Sequence, residues 1–312
     1  MNVFNPIFFF FLLLFFSSCN NSVEKGDSLE FATKNTNWQT NDPRTISTQF
    51  KEYWFSGQAE ITSYKLMQER YGEMREGTAV AIFVAEDFLP EKQVKADERS
   101  EKNISVLKLN LTKNFNTGIY PYSIMTSTFS SISTADHAIK ISNSVQEWCG
   151  HVYMQLNNRE KFEIQSHSYF EGEADQKLSI PKTWLEDELW NLIRINPDEL
   201  PTGELTIIPS FEYMRLQHKE IKEQKAVAKL KQGDSLTVYT LNYTALQRQL
   251  KIFFTNRFPY EIEKWEVVNV AGENDTLGLR TTATKSKRMK IDYWNKNRNE
   301  FASLRDSLGL KQ

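Results

Sequence analysis

The segment Glu147-Trp148-Cys149-Gly150-His151 places a thiol two positions from an imidazole. Such a pair can act as nucleophile and base, or supply two ligands to a metal. On an extended strand residues 147, 149 and 151 share a face, so Glu147, Cys149 and His151 can converge there. Gly150 can equally turn the chain and part them. Two ligands do not complete a zinc site, and no second cysteine or paired-histidine motif stands elsewhere, so an inert cysteine is the plainer reading. His137, His167 and His218 have no partner at ligand spacing and read as hydrogen-bonded or solvated side chains. Carboxylates group at Glu171 with Glu173, at Glu186 to Glu188, and at Asp198-Glu199. The first pair would share a strand face, as glycosidase acids do, but acidic groups beside glycines or at helix starts usually cap and solvate. There is no glycine-rich phosphate loop, no GxSxG elbow and no zinc-protease helix. The expectation is a protein without a catalytic set, metal or cofactor. The alternative is an extracytoplasmic hydrolase built on Cys149 and His151.

The N-terminus speaks of location. Ile7 to Phe16 reads IFFFFLLLFF, ten apolar residues without charge. A bilayer-spanning helix needs roughly 20, whereas ten suit the apolar core of an export signal. Ser17-Ser18-Cys19 follows, small residues before a cysteine, in the pattern of a bacterial lipobox. Residues 1–18 are therefore expected to be a cleaved signal peptide, with Cys19 the lipid-bearing first residue of the mature chain. Two departures stand: no Lys or Arg precedes the apolar core, and Phe16 occupies the position where most lipoboxes carry Leu. Two or three acyl chains hold a domain firmly at a membrane, one only marginally. Asn20-Asn21 after the cysteine, in place of an Asp, favours sorting to the outer membrane of a Gram-negative envelope.

Net charge is −2, so no overall field draws nucleic acid. Seven Trp and twelve Tyr supply material for a substantial core and exclude a disordered chain. With Cys19 carrying lipid, Cys149 is alone and no internal disulfide can form.

These residues must be positioned by a β-rich body. Residues 19–42 are polar and aperiodic, a flexible tether. The single folded domain spans 43–312. Asp42-Pro43 offers an N-cap and first-turn proline for a helix carrying Ile46, Phe50 and Trp54, closed by Gly57. Strand patterns then run from Gln58 to about Glu171: the apolar run Thr78 to Val84, alternation at Leu107, Leu109, Leu111 and Phe115, and again at Val152, Met154 and Leu156. Short turns between them favour an antiparallel meander. Thr183 to Glu186 matches a capping box for a helix with Leu185, Leu189, Leu192 and Ile193 on one face, stopped at Asn196-Pro197. Further strands follow at 205–208, 235–243, 249–255 and 260–268. The charged segment Met214 to Leu230 reads as strand, 276–293 as one more strand or pair, and Phe301, Leu304 and Leu308 as a final helix ending at Gly309. The fold class expected is α+β, mainly β, with a large curved antiparallel sheet, half-barrel-like, and a few packed helices.

A basic cluster, Arg280, Lys285, Lys287, Arg288, Lys290, Lys296 and Arg298, lies beside Tyr293 and Trp294. It could meet anionic headgroups or an assembly partner, although a solvated strand face is the simpler reading.

The stretch Glu52 to Val84 together with Glu147 to His151 resembles an uncharacterised family of bacterial envelope lipoproteins, over most of the mature chain. Some members carry the label "septum formation inhibitor Maf". The Ser-Pro-Arg-Arg type phosphate motif of true Maf pyrophosphatases is absent here, so the label implies no activity. At the level of fold, the strands, aromatics and short helices are similar to the LolA and LolB carriers, whose incomplete barrels are closed by helices. These likenesses imply a membrane-anchored, non-enzymatic envelope protein that binds a hydrophobic ligand or a protein partner.

Overall fold

The computed structural model describes residue 1, residues 42–269 and residues 279–310. The expected signal peptide, the lipidated Cys19 and nearly all of the tether lie outside the described residues. Contacts group residues 33–312 as one compact unit and 1–32 as another, of which only Met1 is described.

In chain order the strands are β1 (Asp42–Pro43), β2 (Ala59–Arg70), β3 (Glu73–Leu89), β4 (Val94–Lys95), β5 (Ile104–Thr117), β6 (Tyr120–Ser131), β7 (Thr134–Ala135), β8 (Lys140–Glu147), β9 (Gly150–Asn158), β10 (Phe162–Ser168) and β11 (Gln176–Ile180). They continue as β12 (Trp184–Leu185), β13 (Gly203–Ile208), β14 (Gln224–Gln232), β15 (Leu236–Tyr243), β16 (Arg248–Thr255), β17 (Ile262–Asn269) and β18 (Arg280–Ile291). The helices are α1 (Thr48–Trp54), α2 (Leu189–Ile195), α3 (Phe211–Leu216) and α4 (Leu304–Ser307).

Sixteen strands form one open sheet, in the order β11-β10-β9-β8-β6-β5-β3-β2-β18-β17-β16-β15-β14-β13-β12, with β4 on the end of β3. The fold is thus α+β and mainly β, as its alternating residues foretell. Two meanders make it. One runs outward from β2, the other runs back to β18, and these first and last strands of the sheet's two halves pair along Ala59 to Met67. The sheet's edges, β11 and β12, are consecutive in sequence, and only residues 181–183 lie between them. Such a link reaches at most about 14 Å. The strip must therefore curl until its edges approach one another, without hydrogen bonds joining them.

Helix α2 fills the concave side, and all seven of its residues are buried. Leu192, Ile193 and Trp190 join Leu107, Leu109, Tyr239, Leu250 and Trp265 in one core. Asn191 fixes the helix to the sheet by donating from Nδ2 to Leu107 O (2.9 Å) and Thr128 O (3.2 Å). Arg194 donates from both terminal nitrogens to Glu60, each at 2.7 Å, and from Nε to Pro259 O. An amphipathic helix would leave Arg194 in water. Enclosure on every side forces this charge to find Glu60, which burial alone would push up but the Arg194 charge and hydrogen bonds hold down at about 2.

Three expected elements differ. Asp42-Pro43 does not start a helix; it pairs with β7, and Ser47 caps α1 by accepting from Phe50 N at 3.1 Å. The cause is Arg44, whose guanidinium is held by Glu199 and Thr134 O and whose N–H donates to Ser133 O, which keeps this stretch extended. Thr183 caps nothing: its hydroxyl donates to Thr206 O. Glu188 does the capping instead, accepting from Leu185 N at 3.0 Å. The segment 214–230 divides into α3, begun by Ser210 accepting from Tyr213 N, and β14. The left-handed His218, φ 49°, lies just beyond the end of α3. The final helix is α4, with Gly309 at φ 65° after it.

Candidate functional site

The upper end of the sheet is the end where β2 turns into β3. Antiparallel order brings the turns β5–β6, β8–β9 and β10–β11 to the same end. The link from β15 to β16 and helix α3 also lie there. Asp42 and the turn after β16 lie at the lower end.

At the upper end the sequence-named trio is only partly assembled. Glu147 pairs with Gly150 across a tight turn whose corners are Trp148 and Cys149. The backbone N–H of Cys149 donates to Glu147 Oε2 at 2.6 Å. His151 is exposed on β9 opposite Gln146, and among the described residues no hydrogen bond joins it to the thiol. Cys149 is exposed, and its thiol is pushed up by the hydrogen bond and charge of Glu147, away from thiolate. Glu173 binds Ser168, Arg215 and His218, and His167 faces Asp175.

Among the described residues, and apart from Met1, the four most exposed large apolar side chains are Ile119, Tyr169, Trp148 and Tyr71, at 84%, 76%, 69% and 58%. Each occupies the turn of a different hairpin, and all four turns share the upper end. Turns ordinarily carry Gly, Asn, Asp or Pro, because these adopt the backbone angles and tolerate water. The aromatics form a connected rim. Tyr120 lies 6.4 Å from Trp148 between ring centroids. The Tyr71 hydroxyl meets that of Tyr122 at 2.8 Å. Tyr169 packs so closely over Gly150 that a Cβ there would come within 2.9 Å of its ring.

Inside this rim the sheet's mouth holds a cleft of about 630 Å³, counting its open part. Its floor is Trp190 and Trp265, perpendicular with centroids 5.1 Å apart. Of three acidic residues in a row, whose sequence alone suggests caps, Glu186 and Asp187 line the cleft. Glu186 accepts two hydrogen bonds from Arg248 (2.5 and 2.6 Å) and one from Tyr243 (2.7 Å). Glu188, beneath, holds His137 Nδ1 and Ala138 N. Asp187 is different. One oxygen accepts from Phe211 N at 3.0 Å, and its other oxygen has no hydrogen bond among the described residues. Burial pushes its pKa up to about 7, with the neighbouring Glu186 adding to this and the Phe211 bond opposing it. Lys113, also at the cleft, pairs with Glu212 at 2.8 Å.

The signal for this site was present as breaks in alternation. Lys113 continues the inward row Leu107, Leu109, Leu111; Arg248 continues Leu250, Ile252, Phe254; Gln68 continues Tyr64 and Leu66. The breaks fall toward the upper ends of their strands, so one polar site emerges where three apolar rows are interrupted; in β5 the row resumes at Phe115.

The basic cluster is largely neutralised. Arg280 pairs with Glu266, Lys285 with Glu263, and Arg288 with Glu261 and Glu263, while Lys290 donates to Tyr53 O. Set beside known proteins, the chain matches no family model, no curated protein and no solved structure.

Proposed function

We propose that this is a non-enzymatic protein of the cell envelope, held to the membrane by lipid on Cys19, whose working end is the upper rim and which acts by binding a protein partner there. The observation that carries the reading is the placing of Ile119, Tyr169, Trp148 and Tyr71, the most exposed large apolar side chains among the described residues after Met1, on four hairpin tips at one end of the sheet. Exposed aromatics grouped in this way mark interaction surfaces, and Trp and Tyr are the side chains that most often anchor them. The rim lies at the end of the sheet opposite Asp42. Carboxylates of Glu69, Glu73, Glu147 and Glu171 flank the tips, which suits basic groups on that partner and not anionic headgroups. A fatty ligand within the curl, as in carriers of the LolA kind, is disfavoured because α2 occupies that space.

Two experiments test this. Metabolic palmitate labelling of the full chain should mark the wild type and not Cys19→Ala; an unlabelled wild type removes the anchor. A photo-crosslinker at position 119, in cells, should give one discrete protein adduct that Trp148→Ala with Tyr169→Ala abolishes. An adduct unchanged by those substitutions, or binding of the soluble domain to phosphatidylcholine and phosphatidylglycerol vesicles in its place, would sink the partner reading.

A further inference from the structure

The rim does not account for the cleft inside it. Its walls carry four carboxylates, Glu69, Glu186, Asp187 and Glu212, against two cations, Lys113 and Arg248. Both cations are already paired, Arg248 with Glu186 and Lys113 with Glu212. Asp187 remains without an ion-pair partner among the described residues, only 7% exposed, with one oxygen unbonded and two indole rings beside it. A carboxylate this far removed from water is stabilised by a cation brought to it. Four buried polar atoms of residues on the same walls have no hydrogen-bond partner: Gln68 Oε1, Asn269 Oδ1, Trp265 Nε1 and Arg248 Nε.

We infer that this cleft is a binding site for a small organic ammonium ion, whose positive centre pairs with Asp187 and lies against Trp190 and Trp265. The chemistry of the walls selects this class. An anion would meet an excess of carboxylates. A fully apolar molecule would leave Asp187 without a counter-charge. A metal ion needs several oxygen ligands together, and among the described residues no group of three His, Cys, Asp or Glu is placed to supply them. An ammonium carrying methyl or methylene groups asks instead for one carboxylate and aromatic faces, because the negative face of an indole attracts a cation. The protein's own cations already lie against aromatic rings of the cleft: Arg248 4.4 Å from the centre of the Tyr213 ring and Lys113 5.8 Å from that of Trp265.

The state of Asp187 then sets the pH dependence. The charged groups facing it are Glu186 and Arg248 from the segments flanking it, Glu212 from α3, and Lys113 from β5. With its carboxyl half protonated near pH 7, a cation binds the ionised form and expels the proton. Binding is expected to weaken by roughly tenfold from pH 8 to pH 6, in line with the ionised fraction.

The test uses the purified mature chain, with tryptophan fluorescence and calorimetry as readouts. Choline is the probe and 3,3-dimethylbutan-1-ol, its uncharged carbon isostere, is the control. Saturable quenching by choline, at least tenfold tighter than by the alcohol and weaker at pH 6 than at pH 8, is the expected result. Asp187→Asn should lower choline affinity at least tenfold at pH 8 and flatten the pH dependence. If that variant does not fold, proton release on adding choline to the wild type at pH 7 in dilute buffer replaces it. Equal affinity for choline and the alcohol, no saturation by either, or binding without proton release overturns the assignment. Loss of the partner adduct at the rim would leave these outcomes unaffected, so the two proposals fail separately.

Discussion

Two buried carboxylates lie near opposite ends of one interior helix, and they are treated in opposite ways. At the lower end Glu60 is fully buried and fully satisfied, with both oxygens on Arg194, a bond from Tyr53 and Arg288 close by. At the upper end Asp187 sits beside an ion pair, yet has no cation of its own among the described residues and a single hydrogen bond. The lower arrangement is what a fold does to make a buried charge tolerable. The upper one keeps a largely buried carboxyl group without a cation of its own among the described residues, a condition that stability alone does not call for. The contrast separates the end whose buried charges are fully paired from the end proposed to meet other molecules.

That contrast can be broken most severely at Glu60. Glu60→Ala leaves Arg194 buried without a counter-charge, and should cost about 3–5 kcal/mol in urea unfolding. Asp187→Asn keeps the shape and removes an uncompensated charge, so it should be neutral or stabilising at pH 8. If both substitutions destabilise alike, the two ends are not different in kind.

The second test is the pH dependence of stability, where the two groups have opposite signs. Glu60 is depressed to about 2 in the fold from 4.5, so its contribution is present above pH 4.5 and disappears as pH falls through 2. Asp187 is raised to about 7 from 3.8, so the fold binds its proton more tightly than the unfolded chain. Stability therefore declines as pH rises from about 4 to 7 and is level beyond. Every tenfold difference in proton affinity between the folded and unfolded chain is worth about 1.4 kcal/mol, so each effect amounts to a few kcal/mol. Asp187→Asn should remove the decline between pH 4 and 7 and leave the acid limb; Glu60→Gln should do the reverse.

A smaller loss is expected midway along the helix. Asn191→Leu removes donors to two sheet carbonyls and should destabilise by about 1–3 kcal/mol, read from the urea midpoint. Least of all should change at the rim. Trp148→Ala and Tyr169→Ala expose little that was covered, and thermal unfolding should move by no more than about 0.5 kcal/mol each. A large loss there would mean that the aromatics hold the hairpins together and are not kept for a partner.

How much of this is readable beforehand differs by element. Leu107, Leu109 and Leu111 announce a strand and its buried side, because side chains alternate on a pleated chain whatever lies around it. Gly309 announces the end of the last helix because few other residues accept its backbone angles. The helix at 189–195 is legible as a helix, but its apolar stripe implies one wet face. Nothing local shows that Asn191 and Arg194 would be enclosed too, since their partners, Leu107 and Glu60, lie 84 and 134 positions away. Likewise Asp42-Pro43 carries a helix-start signal that Arg44 overrides through Glu199, 155 residues distant. The Cys149 trio converges only on the premise of a straight strand, and the turn at 148–149 divides it.

Alone, then, the order of residues determined the β-rich character, most strand positions and the short apolar run before Cys19, all properties set by neighbours a few places apart. The curl of the sheet, the helix enclosed within it and the meeting of Asp187, Lys113 and Arg248 at one mouth were decided only in three dimensions. They depend on charges and hydrogen-bonding groups from distant strands being removed from water together, and a burial shared across the chain leaves no mark in any single stretch of it.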